Sequence, residues 1–170
     1  MKLFSGKVAP IATEAVRALL TAKAIEAEAP KEVEKDVEAV LKNYLEIERE
    51  VNERAKDLLE RTGKSQSDFN RMRTLAAGEK GIKIGDETLD FVLDQVVEMF
   101  HHSNNVDEIF AEDVEMRRLM APCFKRHMNA DSSIDADVRA QLKHLKEGTP
   151  DWEIEYSRVA EGIRRRKGLI

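Results

Sequence analysis

Residues 31–63, "KEVEKDVEAVLKNYLEIEREVNERAKDLLERTG", decide the fold class. Apolar side chains recur there at gaps of three and four residues, which is the period of an α-helix with one buried face. The series runs Val33, Val37, Val40, Tyr44, Ile47, Val51, Ala55, Leu58. No Gly or Pro interrupts 31–62, and Gly63 supplies a stop. At about 1.5 Å per residue, an unbroken helix here would span roughly 45 Å, so we expect it to bridge two groups of helices.

The rest of the chain shows the same period between clear helix boundaries. Prolines precede three of the periodic patterns, including the one already described, and capping residues stand where helices should begin. These residues are Pro10, Pro30 and Pro150, with Thr149 as a cap for the last helix and Ser65 with Asp68 for the helix after Gly63. The stretch "NADSS" (129–133) predicts a break. Aromatic residues make up 5% of the chain, and the charged residues are rich in the helix formers Glu, Lys and Arg. We therefore predict an all-α fold.

The two halves of the sequence resemble each other, which predicts an internal duplication. Shifts of 83 and 81 residues align apolar positions: Val51 with Ile134, Leu59 with Leu142, Phe69 with Trp152, Leu19 with Phe100, and Val33 with Val114. The crowded glycines Gly78, Gly81 and Gly85 mark a boundary or hinge. The expected architecture is two related helical lobes, 1–82 and 83–170, joined by the long helix in a dumbbell-like outline.

Composition excludes several classes of protein. The chain has 170 residues and a formal net charge of −5, and 42% of its residues are hydrophobic, which is enough for a core. Cys123 is the only cysteine, so an internal disulfide and a cysteine-based zinc site are excluded, and its apolar surroundings predict a core position. No run approaches the roughly 20 apolar residues of a membrane span, and the first residues lack a secretion signal. We expect a cytoplasmic protein.

Four stretches of the chain carry a family resemblance. They are "LFSGKVAPIATEAVRALL", "DVEAVLKNYLEIEREVNERAKDLLE", "VEMFHHSNNVDEIFAEDVEMRRLMAP" and "EGTPDWEIEYSRVAEGIRRRKGL". Together they extend over nearly the whole sequence, which resembles the bacterial "domain of unknown function 507" family. The resemblance implies a soluble, helical, bacterial cytoplasmic protein. It carries over no active site and no cofactor.

The motifs of common enzyme classes are missing from the sequence. Neither "GKSQS" nor "HHSNN" forms a nucleophile elbow. The glycines of "GEKGIKIGDET" lack the spacing of a phosphate-binding loop, and no strand pattern precedes them. We therefore expect no cofactor and no catalytic residues, and the sequence does not favour enzymatic activity.

Histidines offer the one candidate metal site. Glu98 and His101 have the Glu-x-x-His spacing of di-metal sites in helical bundles, but no second such pair exists. A single-metal enzyme around His101 or His102, with Glu98 and the distant His127, stays open as a third hypothesis. The simpler interpretation is that adjacent histidines end a helix, where cations complement the helix dipole.

Charge is unevenly distributed along the chain. Residues 81–112 hold one basic and eight acidic side chains, which indicates a solvated acidic surface or a patch for a basic partner. Near the C-terminus, Arg164, Arg165, Arg166 and Lys167 form a basic run before Gly168. Helix-end electrostatics and intramolecular pairing explain such a run, because consecutive residues point in different directions around a helix.

The alternative for the basic run is contact with phosphate or with a partner. A nucleic-acid-associated protein would use it together with Arg158, and with Arg71 and Arg73. The acidic net charge of the chain argues against this second hypothesis.

The leading hypothesis is a non-enzymatic interaction or scaffold protein with a protein partner. A helix is expected to carry Val114, Leu119, Cys123 and Phe124 on its apolar side. The strip formed by Met116, Leu119, Met120 and Cys123 is the candidate partner surface, provided that other helices leave part of it uncovered. The sequence predicts neither the partner's identity nor the oligomeric state.

Overall fold

The fold is built almost entirely from helices, as predicted. The computed structural model describes residues 1–129 and 133–170, with 130–132 included only within the bounds of one helix, and 75% of the chain is helical. The helices are α1 (Val8–Thr21), α2 (Pro30–Thr62), α3 (Phe69–Lys80), α4 (Thr88–His102), α5 (Asp113–Met128), α6 (Ala130–Gln141) and α7 (Pro150–Arg166). The short strands β1 (Ile25–Glu26) and β2 (Glu108–Ile109), which the sequence did not suggest, pair antiparallel.

The long helix α2 has the boundaries that its sequence predicts. Pro30 occupies its first turn, and Gly63 follows its last residue with φ +63°, the left-handed conformation in which glycine commonly ends helices. The cap of α7 is also confirmed, since the backbone N–H of Trp152 donates to Thr149 Oγ1 at 3.3 Å. The expected cap of α3 is wrong, because Asp68 makes no side-chain capping bond.

The central hydrophobic cluster combines α1, the first part of α2, α4 and α5, and it also includes Ala76 and Ala77 of α3. Its buried side chains include Ile11, Ala15, Leu19, Val33, Val37, Leu41, Val92, Val96, Phe100, Met116, Met120 and Phe124. They follow the helical period on each element, so every one of these four helices buries one face against the others. The cluster draws on both expected lobes, and the division at residue 82 does not coincide with a division of this core.

Two smaller clusters lie outside the central one. The last part of α2 packs against α3 through Ala55, Leu59 and Met72. The other cluster joins α6 and α7 to both ends of the chain: Phe4, Ile134, Val138, Leu142, Ala160, Ile163 and Leu169 are buried in it. We call these the α2–α3 pair and the α6–α7 pair.

The two chain ends meet through their backbones. The N–H of Gly6 donates to the carbonyl of Leu169 at 2.8 Å, and a Cβ on Gly6 would overlap the carbonyl of Gly168. Gly6 is therefore required for this close approach.

The predicted break after α5 falls at Asn129, which separates α5 from α6. The side chains of 130–132, the middle of "NADSS", lie outside the described residues.

Candidate functional site

The apolar strip on α5 is largely part of the core. Met116 and Met120 are fully buried, and Cys123 is 6% exposed, because this face of α5 packs into the central cluster. Leu119 alone stays half-buried, beside a surface groove between α1 and α5. Three of the four side chains are therefore buried in the folded chain, and Leu119 is the member of the strip that stays partly accessible. Burial raises the pKa of the Cys123 thiol to about 11, which suits the core role that the sequence predicts and disfavours a reactive thiolate.

Val114 was expected on the apolar side of α5, and that expectation is wrong. Its side chain is 76% exposed. Two positions along a helix correspond to roughly 200° of rotation, so burial of Met116 turns Val114 toward solvent.

The basic run ends α7 as expected, and two of its members, as well as Arg158, form ion pairs within the protein. Arg158 contacts Glu155 at 2.6 Å and Arg165 contacts Glu161 at 2.6 Å. Lys167 joins α7 to α6 through Asp137, at 2.8 Å.

The other arginines of the basic set have different surroundings. The Arg164 guanidinium lies 6.0 Å from the centre of the Phe4 ring, and Arg166 is exposed. Arg73 binds Glu48 at 3.1 Å, whereas Arg71 is exposed. Arg73 and Arg164 line the same cleft, and Arg71 and Arg166 are not part of its lining.

The histidines form separate pairs with carboxylates. His101 Nε2 lies 2.7 Å from Asp113 Oδ1, and His102 Nε2 lies 2.9 Å from Glu98 Oε1. Of the two histidines proposed to act with Glu98, His102 is therefore the one that contacts it. His127 binds Glu14 in another part of the molecule. Within the described residues, no three His, Cys, Asp or Glu side chains converge as a metal site.

The acidic segment around β2 exposes apolar side chains. Phe110 is 59% exposed and Val114 is 76% exposed, four residues apart across the start of α5. From Glu108 to Glu112 exposed and half-buried residues alternate, and the exposed ones are Glu108, Phe110 and Glu112. We call Glu26, Glu108, Phe110, Glu112 and Val114 together the Phe110 surface.

The strand pairing adds a like-charge contact to the Phe110 surface. Glu26 is the direct partner of Glu108 in the antiparallel ladder, and both side chains are exposed. Like charges in directly opposite positions destabilise a strand pair. Among the described residues, Glu26, Glu108 and Glu112 have no basic partner. The surface therefore combines exposed apolar area with unneutralised negative charge.

Sequence reasoning identified the acidic segment but missed its apolar side chains. The signal was present in "DEIFAEDVE" (107–115), where Phe110 and Val114 interrupt an acidic run. The register of α5 was needed to show that Val114 faces solvent.

These features define a mostly helical protein with one short antiparallel strand pair, and no described helix is long and apolar enough to cross a membrane. The chain belongs to the family described as "Protein of unknown function (DUF507)", whose model matches residues 1–169. This match confirms the resemblance seen in the sequence. A comparison with curated proteins finds no match.

Proposed function

We propose that this protein is a non-enzymatic interaction protein of the cytoplasm, and that its Phe110 surface binds a basic, amphipathic segment of a protein partner. The observation that carries the proposal is the exposure of Phe110 and Val114, 59% and 76%, within an acidic segment. Large apolar side chains at the centre of a polar surface are typical of interaction sites.

The charges on the Phe110 surface select the partner's chemistry. A lysine or arginine placed between Glu26 and Glu108 would relieve the repulsion of this cross-strand pair. Glu112 offers a further carboxylate beside Val114. An apolar side chain of the partner would cover Phe110, while basic side chains on either side pair with the carboxylates.

The internal duplication, proposed as the origin of the fold, is supported by the positions of buried residues. A shift of 81 relates buried residues of α1 to those of α4: Val8 to Leu89, Ile11 to Val92, Ala15 to Val96, and Leu19 to Phe100. A shift of 83 relates α2 to α5 and α6: Val33 to Met116, Val37 to Met120, Leu41 to Phe124, Val51 to Ile134, and Leu59 to Leu142. The better counterpart of Val33 is thus Met116 instead of Val114.

The strand pair agrees with this duplication. Under the shift of 83, Ile25 and Glu26 correspond to Glu108 and Ile109, and the observed pairing of Ile25 with Ile109 and Glu26 with Glu108 is then symmetric. Duplicated halves would meet at β1 and β2 and share the central cluster, in place of forming the two ends of a dumbbell.

The duplication does not repeat the Phe110 surface. Under the same shift, Ala27 corresponds in sequence to Phe110, and Lys31 corresponds to Val114. We therefore propose that each chain has one partner site.

Site-specific photo-crosslinking tests the proposed partner site. A benzoylphenylalanine replaces Phe110 in the full chain within cells, and crosslinked peptides are sequenced by mass spectrometry. We expect peptides with a net positive charge and an apolar residue at the crosslink. Ile154 is the matched control position, because it is 66% exposed and lies between Glu153 and Glu155.

Two outcomes would reject the partner site. One is crosslinking at position 110 that does not exceed crosslinking at position 154. The other is a set of crosslinked partners that are acidic peptides or nucleic acid. The substitutions Phe110→Ser and Glu108→Gln should each reduce the yield of a true partner crosslinked at position 114, whereas Ile154→Ser should not.

A further inference from the structure

A cleft between α2, α3 and α7 is lined by several positively charged side chains, although the chain as a whole has a net charge of −5. Its volume is about 720 Å³. Cationic side chains reach it from the N-terminal segment and from all three helices: Lys2, Lys56, Arg73 and Arg164. Among the described residues, Glu48 is the single carboxylate that lines it.

Helical spacing explains why these side chains converge. Glu48, Asn52 and Lys56 are four residues apart on α2, and Phe69 and Arg73 are four apart on α3. Residues at this spacing lie on one face of a helix. The two helices pack together through the small apolar cluster beneath, so these faces border a common space.

The positive charge in the cleft is only partly neutralised. Arg73 Nη2 donates to Glu48 Oε1 at 3.1 Å, and both side chains are largely buried. Lys2 and Lys56 make no ion pair with any described residue. Arg73 Nε is buried and has no hydrogen-bond acceptor among the described atoms. A buried donor of this kind is costly unless an acceptor reaches it.

We propose that this cleft binds a small molecule that carries phosphoryl groups, through Lys2, Lys56 and Arg73. Lysine ammonium groups and the planar guanidinium of arginine are the side chains that proteins use to bind phosphate oxygens. Asn52 and Ser157 supply neutral hydrogen-bonding groups in the same lining.

The size of the cleft suits a phosphoryl group attached to a larger body. Its volume of about 720 Å³ lies within the range of roughly 300–1,000 Å³ of small-molecule sites. Phe69 contributes an aromatic side chain to the lining, on which a planar group can stack. The phosphoryl chemistry is shared by inorganic polyphosphates and by nucleotides, and the experiment must separate these two sources.

Isothermal titration calorimetry of the full chain tests the proposal, with inorganic pyrophosphate in one arm and ATP in the other. We expect saturable binding in at least one arm, weakened about tenfold by Lys56→Gln and by Lys2→Gln, since each removes a charge-assisted contact. Tighter binding of ATP than of pyrophosphate would identify a nucleotide. Equal affinity would identify the polyphosphate group alone. Both substitutions alter side chains that are exposed or half-buried, so the fold should persist.

Lys125→Gln is the matched control, because Lys125 is an exposed helical lysine on α5. It should leave the affinity unchanged. The proposal is overturned if neither probe binds at millimolar concentration, or if Lys125→Gln weakens binding as much as Lys56→Gln does. Phe110→Ser should not affect phosphate binding, so failure of this site and failure of the partner site are separate results.

Discussion

The α2–α3 pair and the α6–α7 pair each have an apolar cluster apart from the central one, and they differ in how they are held together. The α2–α3 pair has a small apolar cluster, with Ala55, Leu59 and Met72 buried. Around it, ion pairs connect the two helices: Arg54 with Glu79 at 3.0 Å, Lys80 with Glu50 at 2.6 Å, and Arg73 with Glu48 at 3.1 Å. The first two pairs are exposed, and exposed ion pairs contribute little to stability.

The α6–α7 pair relies more on apolar burial. It adds Phe4 and Leu169 from the two chain ends to the buried side chains of its helices. Trp152 and Tyr156 pack half-buried against them, with ring centres 4.9 Å apart. Two helix pairs of one chain are thus stabilised by different means, and the second pair depends on Phe4, which is far from it in the sequence.

The largest expected effect is that of Phe4→Ala, which removes the aromatic side chain that joins the N-terminal segment to the α6–α7 pair. Phe4 is 2% exposed, and truncation of a buried Phe costs about 3–5 kcal/mol. Urea denaturation followed by circular dichroism measures the change in the free energy of unfolding. Phe4→Leu should retain most of the stability, and a loss below about 1 kcal/mol for Phe4→Ala would show that the chain ends do not support this pair.

Leu59→Ala and Leu142→Ala compare the two pairs at corresponding positions. Leu59 is 7% exposed in the smaller cluster and Leu142 is 3% exposed in the larger one. We expect losses of about 2 kcal/mol for Leu59→Ala and about 3 kcal/mol for Leu142→Ala, because fewer buried neighbours surround Leu59. Equal losses, measured by the same denaturation, would remove the proposed difference between the clusters.

Thr149→Ala should have a smaller effect, confined to the start of α7. Its hydroxyl accepts from the N–H of Trp152 at 3.3 Å, and loss of such a cap costs about 1 kcal/mol. Asp68→Ala, at the start of α3, is the matched control, because Asp68 makes no capping bond. Hydrogen exchange should show faster exchange in the first turn of α7 alone. An equal loss of protection in α3 after Asp68→Ala would contradict this difference.

Local patterns in the sequence were sufficient to predict most of the helices. The helical period of the apolar residues, together with Pro30 and Gly63, predicted the bounds of α2 almost to the residue. This was possible because helix formation depends on contacts three and four residues apart. Which helices share a core depends on contacts between distant residues. Phe4 and Leu169 lie in one apolar cluster although nearly the whole sequence separates them. Neither residue belongs to a periodic apolar pattern.

The candidate sites were harder to predict, for the same reason. Whether an apolar residue faces the core or solvent depends on the partner that covers its helix. Met116 is buried where α5 packs against α1 and α4, and Val114 is exposed. The spacing of Met116 from Leu119 and Met120 agrees with this, but both Met116 and Val114 were assigned to apolar faces from the sequence. Likewise, the cleft between α2, α3 and α7 is lined by Lys2, Arg73 and Ser157, which come from three separate stretches of the chain.

The smallest expected effect concerns two carboxylates, one in each outer pair. Hydrogen bonds from Tyr156 and then Arg139 lower the pKa of Asp135 in the α6–α7 pair. The hydrogen bond from Lys80 lowers the pKa of Glu50 in the α2–α3 pair. Each carboxylate is favoured in its charged form by folding, so its contribution to stability is present above the ordinary carboxyl pKa and is lost as the pH falls through the folded-state value.

Tyr156→Phe should therefore raise the pKa of Asp135 and leave that of Glu50 unchanged, whereas Lys80→Gln should do the reverse. Tyr156 can act as the donor throughout the acidic range, because burial and the Asp135 carboxylate raise its own pKa to about 12. Carboxyl-carbon NMR titration measures both pKa values in each variant. If Tyr156→Phe left the pKa of Asp135 unchanged, Arg139, which contacts Asp135 at 2.9 Å, would be sufficient to hold it low. The hydroxyl at 2.6 Å would then contribute to the α6–α7 pair through packing alone.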